Sequence, residues 1–426
     1  MILPCLILTD RERGDLETNP NEFVSYSLDS CDQQESYTLK CGALKLLENL
    51  ADNIDGALTF VAQVAAKLLV FGLHNGTLDE IPTKYPQLAE IVNTKFFTTT
   101  NYEEKADSAL ICLINMSYHL STRLDIHQLV STILLEQADP LTLNATNLIK
   151  ARTIHLLTYI YELIFTDPNL LHYKLAYTKF MINCLNPGPG ADCQSEAVSL
   201  QACEAFKAIL INRPPNPENP SGPDPIIPQV IGTVIDTMID MIPTITYEPF
   251  FDIMMTLAKS YPAAILETAE RYEKFVTNLV NRSLRETEAP TDPSKKDMFV
   301  IRTWNAIRTL SESKLLVEKE DCLAKYDLML APAWKTMAEP MSICFDDDVL
   351  DILIAISKSV KTIPPNLAAI IQYFPQILTK YKGHINQLLV TYNAYFNTYK
   401  QVFDNKEILD MTIGNQIPQA NLNFFS

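Results

Sequence analysis

Glycine is scarce in this chain, with 11 residues among 426. Globular proteins average about 7% glycine, and hairpin turns, phosphate-binding loops and left-handed turns all depend on it. The scarcity therefore disfavours a fold built from sheets and tight turns. The patterns G-x-x-x-x-G-K-S/T, G-x-G-x-x-G and G-x-S-x-G are also absent, which disfavours nucleotide-binding loops and serine-nucleophile turns.

Metal-binding and disulfide patterns are missing as well. The six histidines show no H-E-x-x-H or zinc spacing, and the nine cysteines form no C-x-x-C pair. An odd cysteine count without a framework is typical of a reducing compartment. Catalysis needs a nucleophile, a base and an orienting group in one pocket, and no local pattern nominates such a set. We expect no metal, no cofactor and no enzyme, with an enzyme hidden in an α-helical fold as the alternative.

Long apolar runs and basic residues are in short supply too. No stretch of about 18 uncharged apolar residues occurs, so we expect no membrane insertion. Lysine and arginine number 34 against 51 acidic residues, a net charge of −17. This balance disfavours direct nucleic-acid binding, which requires a basic surface. It favours basic protein partners, because opposite charges steer association and select partners.

Proline, by contrast, is plentiful, and its 26 residues fall mainly at the ends of amphipathic stretches. A proline stop at each end, with apolar residues at helical spacing between, predicts one helix after another. The predicted helices form pairs, followed by one long helix over 384–403. The pairs are 35–52 with 57–73, 102–122 with 125–137, 144–165 with 169–185, 193–212 with 225–242, 247–261 with 262–285, 297–315 with 320–338, and 346–361 with 365–381.

The predicted pairs recur at a nearly constant spacing. From the second pair to the seventh, the first helices begin near residues 102, 144, 193, 247, 297 and 346. Two-helix HEAT and armadillo repeats have periods of about 40–47 residues. A single pair cannot cover its own apolar face, so neighbouring pairs must stack. We therefore expect an all-α fold, an α-solenoid of HEAT/armadillo-like two-helix repeats in a right-handed superhelix. An irregular all-α globule is the alternative.

The domain organisation follows from this spacing. Residues 1–34 are expected to be the end of a preceding repeat plus an acidic loop, since 11–35 is acidic and lacks helical periodicity. Residues 35–426 are expected to form an array of about seven to eight helix pairs. Two irregular insertions interrupt the array, at 74–101 and at the proline-rich stretch 213–225.

Acidic residues are the only candidate functional groups. Asp346 to Asp348 precede an apolar helix, where they would either stabilise its N-terminus or bind a partner. The acidic side chains before residue 35 could hold lysine- and arginine-rich segments through charge-assisted hydrogen bonds. The candidate cargo-binding residues are Glu17, Glu22, Asp29, Asp32, Asp346, Asp347 and Asp348.

One segment resembles a known family. Residues 15–24 (DLETNPNEFV) contain Glu17, Pro20, Glu22, Phe23 and Val24, which match the E/D-x-x-P-x-E-F/Y-I/V element of the importin-β (karyopherin-β) superfamily. That element precedes a run of HEAT repeats. The stretches 150–162 and 196–210 resemble two helices of the importin seven/eight subgroup.

The resemblance implies a nuclear transport receptor that binds protein cargo, expected to be basic, and nucleoporin repeats. It implies a location in cytoplasm and nucleus, with passage through the nuclear pore. The small GTPase Ran is a partner of full-length members, but its site lies in N-terminal repeats without a counterpart here, so the chain is expected to be a central fragment. The alternatives are an exportin of the cellular apoptosis susceptibility type and a general HEAT-repeat scaffold subunit.

Overall fold

The structure is a computed structural model of the chain. It describes residues 9–28, 38–54, 102–117, 146–167, 169–185, 195–212, 226–288, 296–338 and 346–360, together with a few shorter stretches. Within these residues the regular elements are helices and none is a strand, which confirms the predicted all-α fold class.

Fifteen α-helices of four residues or more lie in the nine described ranges. They are α1 (Asp10–Thr18), α2 (Pro20–Leu28), α3 (Leu39–Asn53), α4 (Tyr102–Asn115), α5 (Asn147–Thr166), α6 (Lys174–Leu185), α7 (Glu196–Asn212), α8 (Ile227–Met241), α9 (Phe250–Ser260), α10 (Pro262–Ile265), α11 (Ala269–Glu288), α12 (Lys296–Ser311), α13 (Lys314–Val317), α14 (Cys322–Ala338) and α15 (Asp346–Ser359). In the same ranges, a 3₁₀ turn, Leu171–Tyr173, leads into α6.

The predicted first helices are confirmed. Helices α4, α5, α7, α9, α12 and α15 each begin within three residues of the predicted starts. The second helix predicted over 262–285 is divided into α10 and α11. The helices predicted at 57–73, 125–137, 365–381 and 384–403 lie wholly or mostly outside the described residues, as do both insertions.

The acidic loop predicted before residue 35 is wrong over residues 10–28, which form α1 and α2. The start of α1 is fixed by a capping box, in which the Glu12 amide donates to Thr9 Oγ1 at 3.2 Å and the Thr9 amide donates to Glu12 Oε2 at 2.9 Å. Pro20 is the first residue of α2. A backbone N–H at this position would have no partner within the helix, so proline costs no hydrogen bond there. Among the side chains described in these helices, the buried apolar ones are Leu16, Phe23 and Val24, which do not recur at a helical period.

Contacts divide the chain into two compact units, residues 1–230 and 231–426. In the first unit, α5 packs against both α4 and α7. These are the first helices of three successive pairs. Helix α6 joins the group through contacts with α5 and α7. Phe165 and Tyr177 meet edge-on between α5 and α6, with ring centroids 5.9 Å apart.

The second unit repeats this arrangement. Helix α12 packs against α9 and α15, which are again the first helices of successive pairs, while the second helices α11 and α14 contact each other. Phe251 of α9 and Phe299 of α12 pack with their ring centroids 5.1 Å apart. Trp304 is completely buried in α12. Successive pairs thus cover one another's apolar faces within each unit.

The helices α1 and α2, together the N-terminal hairpin (residues 10–28), depart from this neighbour-to-neighbour packing. Helix α2 packs against α7, which lies far along the chain. The hydroxyl of Ser195, just before α7, donates to the Leu16 carbonyl at 3.2 Å. A repeat in a solenoid contacts only its neighbours. The hairpin therefore crosses the stacked first helices of its unit.

Candidate functional site

A cleft of about 520 Å³ lies where the N-terminal hairpin meets the beginnings of α4, α5 and α7. Its shape follows from the packing of α1 and α2 against helices that lie much later in the sequence. The lining residues are Arg13, Leu16, Glu17, Thr18, Pro20, Glu103, Thr146, Asn147, Leu148, Ser195 and Glu196.

The charged side chains of the cleft are mainly acidic. Glu17, Glu103 and Glu196 come from three different helices, and among the lining residues that the structure describes Arg13 is the single basic one. The Arg13 guanidinium lies 3.5 Å from Glu103 Oε2 and 3.7 Å from Glu104 Oε1. Its side chain is 40% exposed, so water screens these contacts. The cleft therefore presents negative charge that one loosely held arginine only partly balances.

Ser195 fixes one wall of the cleft. Its hydroxyl oxygen accepts a hydrogen bond from the Ala197 amide at 3.2 Å, as an N-cap does at the start of α7. The same hydroxyl donates to the Leu16 carbonyl, so it ties α7 to α1. Glu196 lies in the first turn of α7, where the positive end of the helix dipole stabilises a carboxylate. Glu196 therefore has a structural role besides its place in the cleft.

A buried charge cluster lies beneath the hairpin. Arg152 of α5 donates from Nε to Asp107 Oδ1 of α4 at 3.1 Å, and the two side chains are 6% and 0% exposed. Arg152 Nη2 is 3.7 Å from Glu12 Oε1, and Glu12 also pairs with Lys40 of α3. The Arg152 guanidinium lies over the Phe23 ring, 4.7 Å from its centroid. Four charged groups and one aromatic ring thus join five helices.

The two carboxyl groups of the cluster respond differently to burial. Burial raises the pKa of Asp107 by more than the charges of Arg152 and Lys40 lower it. Burial also raises the pKa of Glu12, but the charge and hydrogen bond of Lys40, aided by the Thr9 amide and Arg152, outweigh it and lower the pKa overall. The cluster therefore favours the ionised form of Glu12, whereas ionisation of Asp107 in the folded protein costs free energy.

The structure places the predicted acidic residues in different settings. Glu17 is exposed and lines the cleft. Glu22 is half-buried in α2 and is not part of the lining. Asp29 and Asp32 lie outside the described residues. Asp346, Asp347 and Asp348 form the first turn of α15, in the second unit. Of the candidates that the structure describes, Glu17 is therefore the one brought together with other acidic residues in the cleft.

The sequence analysis missed the residues that complete the cleft and the buried charge cluster. Glu103 and Glu196 were not singled out, because each stands in the first turn of a helix, where acidic residues are common. Asp107 and Arg152 carried a usable signal, since each is a charge among apolar residues of a helix. Ala106, Ala109 and Leu110 around Asp107 are completely buried, as is Ile154 near Arg152. A charge on such a face indicates a buried partner.

Some classes of site are not found in the part of the chain that the structure describes. There, no helix is long and apolar enough to cross a bilayer. The same residues include no group of histidine, cysteine, aspartate and glutamate arranged to hold a metal ion. No protein-family model matches the chain, and no curated protein matches it either.

Proposed function

We propose that this chain is an importin-like nuclear transport receptor with the fold of a HEAT-type α-solenoid. It binds basic protein cargo and nucleoporin repeats, and it catalyses no reaction. The observation that carries the proposal is the side-by-side packing of first helices, α4 with α5 and α7 in one unit and α9 with α12 and α15 in the other. Such stacking of two-helix units is how repeat proteins build extended binding surfaces.

The charge of the chain supports basic cargo. A net charge of −17 produces a negative potential that attracts lysine- and arginine-rich segments. The cleft offers a place for one such segment, because Glu17, Glu103 and Glu196 line it together, and Arg13 is the one basic residue among its described lining residues. The ligand would bind through charge-assisted hydrogen bonds to these carboxylates.

Neutralising the cleft is expected to weaken binding of a fluorescent arginine- and lysine-rich peptide. The triple variant Glu17→Gln, Glu103→Gln, Glu196→Gln should lose about tenfold in affinity, since each exposed ion pair contributes up to about 0.5–1 kcal/mol. Raising the salt concentration from about 0.1 M to 1 M, which shortens the Debye length from about 10 Å to 3 Å, should weaken the wild type further. Fluorescence anisotropy measures both effects.

A matched control distinguishes the effect of the carboxylates in the cleft from the effect of the overall charge. Glu273, Glu318 and Glu320 are exposed in the second unit, and their replacement by glutamine removes the same charge. We expect this control to retain nearly all of the affinity. Equal losses in the two triple variants would show that the cleft is not the binding place. An affinity that does not change with salt would contradict binding through charge.

Transport itself needs a separate test. Beads carrying phenylalanine-glycine repeats of nucleoporins should retain the wild-type protein together with a basic cargo peptide. Failure to bind the repeats, with recovery of one stoichiometric enzyme partner from cells, would support a scaffold subunit instead. Binding that requires Ran in its GTP form would support an exportin of the cellular apoptosis susceptibility type.

A further inference from the structure

We propose that helix α3 carries a self-association face, on which a second copy of this chain packs its own α3 in the antiparallel direction. The face consists of the apolar side chains Leu39 and Leu46 with Gly42 between them, and we call it the α3 face. None of these three residues is among the described lining residues of the cleft. Self-association is therefore a property beyond the proposed function, and it can be tested separately from cargo binding.

The α3 face is open to solvent. Leu39 is 75% exposed and Leu46 is 49% exposed. Together with Gly42 they recur at intervals of three and four residues, so they share one side of the helix. Leu50 continues the row by one turn and is half-buried. Large apolar side chains aligned in the open are typical of a surface that another protein covers.

A glycine stands in the middle of this row. Apart from proline, glycine is the least favourable residue inside a helix. A methyl group placed on Gly42 would meet no atom of another described element within 4 Å, so packing within the described part of the chain does not require glycine here. A helix from a second molecule gives it a purpose, because two helix backbones approach more closely where no side chain stands between them.

The helix that carries the face is firmly formed before any partner arrives. Thr38 caps its start, with Oγ1 accepting from the Cys41 amide at 3.2 Å. On the exposed side, Asn49 Nδ2 donates to the Lys45 carbonyl at 2.8 Å, and Asn53 Nδ2 donates to the Asn49 carbonyl at 2.9 Å. A partner helix can therefore pack on this side without leaving these amide donors unpaired.

The order of charges on one flank of the α3 face indicates a second copy and its direction. Lys45 lies in the first half of α3, and Glu48 and Asp52 lie in the second half. At about 100° per residue, the three side chains point within about 60° of one another. When two identical helices pack antiparallel by one face, the same flank of each meets. Lys45 of each copy then faces the acidic half of the other, whereas a parallel pair brings opposite flanks together.

The same charge order is unfavourable in a single helix. The first turn of α3 has no acidic residue and the last turn has no basic one. Asp52 stands instead in the last turn, where the negative end of the helix dipole repels a carboxylate. In an antiparallel pair, the positive N-terminal end of the other copy lies beside this turn. A second copy therefore stabilises a charge that the single chain holds at a disadvantage.

The α3 face is small, so we expect a weak dimer. Helix α3 has 15 residues, which corresponds to about 22 Å, and stable interfaces usually bury more than about 1,000 Å². The net charge of −17 on each copy also opposes association, although salt at about 0.15 M limits this repulsion to about 8 Å. We expect a dimer Kd of about 10–100 µM for the full chain, measured by sedimentation equilibrium.

Variants of the apolar row test the face itself. Leu46→Gln should raise the dimer Kd at least about tenfold, because it puts a polar amide between the two helices. Leu175→Gln is the matched control, since Leu175 on α6 of the same unit is 47% exposed, and it should leave the Kd within about twofold. Gly42→Ala should make the monomer more resistant to urea, because alanine favours the helix, and yet weaken the dimer at least about fivefold.

Variants of the charged flank test the direction of packing. Lys45→Glu leaves three acidic side chains on the flank, and the double variant Glu48→Lys with Asp52→Lys leaves three basic ones. Each variant alone should lose self-association at least about tenfold, because like charges then meet. An equimolar mixture of the two should associate at least as tightly as the wild type, since opposite charges then meet on both sides of the pair. Circular dichroism checks that each variant remains helical.

Several results would overturn the proposal. A wild type that stays monomeric up to about 0.5 mM would show that a second copy is not the occupant of the α3 face. Equal effects of Leu46→Gln and Leu175→Gln would place any dimer contact elsewhere, and a mixture of the charge variants that does not associate would exclude antiparallel pairing. Leu46→Gln should bind the arginine- and lysine-rich peptide as the wild type does, so loss of the dimer and loss of cargo binding are distinguishable.

Discussion

The substitution Arg152→Met is expected to lower the free energy of unfolding by about 3–5 kcal/mol, because it leaves the Asp107 carboxylate buried without its cation. The guanidinium of Arg152 is the direct hydrogen-bond partner of Asp107 Oδ1, at 3.1 Å between groups that are 6% and 0% exposed. Methionine keeps an apolar, unbranched stem but lacks the guanidinium that lies over the Phe23 ring, so the loss reports mainly the missing charge. Urea unfolding followed by circular dichroism measures it.

The double variant Asp107→Leu with Arg152→Met should recover most of this loss, since replacing both members of a buried pair with apolar side chains is often close to neutral. Arg308 supplies a matched control in the second unit. Its Nη1 lies 2.9 Å from Asp351 Oδ2, but these side chains are 35% and 34% exposed. Arg308→Met should cost no more than about 1 kcal/mol. Equal losses at the two sites would show that burial does not decide the outcome.

The loss of stability caused by Arg152→Met should also depend on pH, in a direction that the pKa of Asp107 sets. Burial already raises the pKa of Asp107 in the folded protein, above its value in the unfolded chain. A carboxyl of this kind destabilises the fold once it ionises, so stability falls as the pH rises through the folded-state pKa. Without Arg152 the pKa of Asp107 rises further. The deficit of Arg152→Met is therefore expected to be larger at pH 8 than at pH 5.

Helix starts and types could be predicted from the sequence because they depend on local patterns. Proline stops and apolar spacing placed the beginnings of α4, α5, α7, α9, α12 and α15 within three residues. The short helices α1 and α2 gave no such pattern. The capping box of Thr9 and Glu12 was the one local signal that could have revealed α1.

Which part of an apolar face is buried could not be predicted. In α3 the apolar residues Leu39, Ala43, Leu46, Leu47 and Leu50 recur at helical spacing, which predicts one apolar face. Ala43 and Leu47 are buried, whereas Leu39 and Leu46 are 75% and 49% exposed. At about 100° per residue, Ala43 and Leu47 lie on one side of the apolar stripe and the other two on its opposite side. The stripe is wider than the surface that the described neighbours of α3 cover.

The candidate site depended on contacts between distant parts of the chain. The cleft exists because α2 packs against α7, and no local pattern encodes such a pairing. Glu17 was predicted from charge alone, but its neighbours Glu103 and Glu196 could be found only from the packing. Local signals therefore predicted the elements, and the long-range contacts decided which of their side chains meet.

Lowering the pH is expected to destabilise the first unit through a buried histidine. His155 of α5 is 2% exposed, and among the described residues neither of its ring nitrogens has a hydrogen-bond partner. Burial, aided by the nearby charge of Arg152, lowers the pKa of His155 from 6.5 to about 3. The folded protein therefore keeps this imidazole neutral at a pH where the unfolded chain has already protonated it. Its contribution to stability is present above pH 6.5 and is lost as the pH falls towards the folded pKa.

The variant His155→Leu should be at least as stable as the wild type at pH 7, because leucine fills a similar volume and leaves no unpaired ring nitrogen buried. Its advantage should grow by about 1.4 kcal/mol per pH unit below pH 6.5, reaching about 2 kcal/mol at pH 5. Urea unfolding at pH 7, 6 and 5 measures this difference, and His172→Gln, at an exposed histidine, serves as the control for loss of one histidine. A variant that follows the wild type at every pH would show that protonation of His155 in the unfolded chain does not limit the stability of this fold. Because the comparison is made between proteins that differ at one buried position, the titration of the carboxylates affects both equally and cancels.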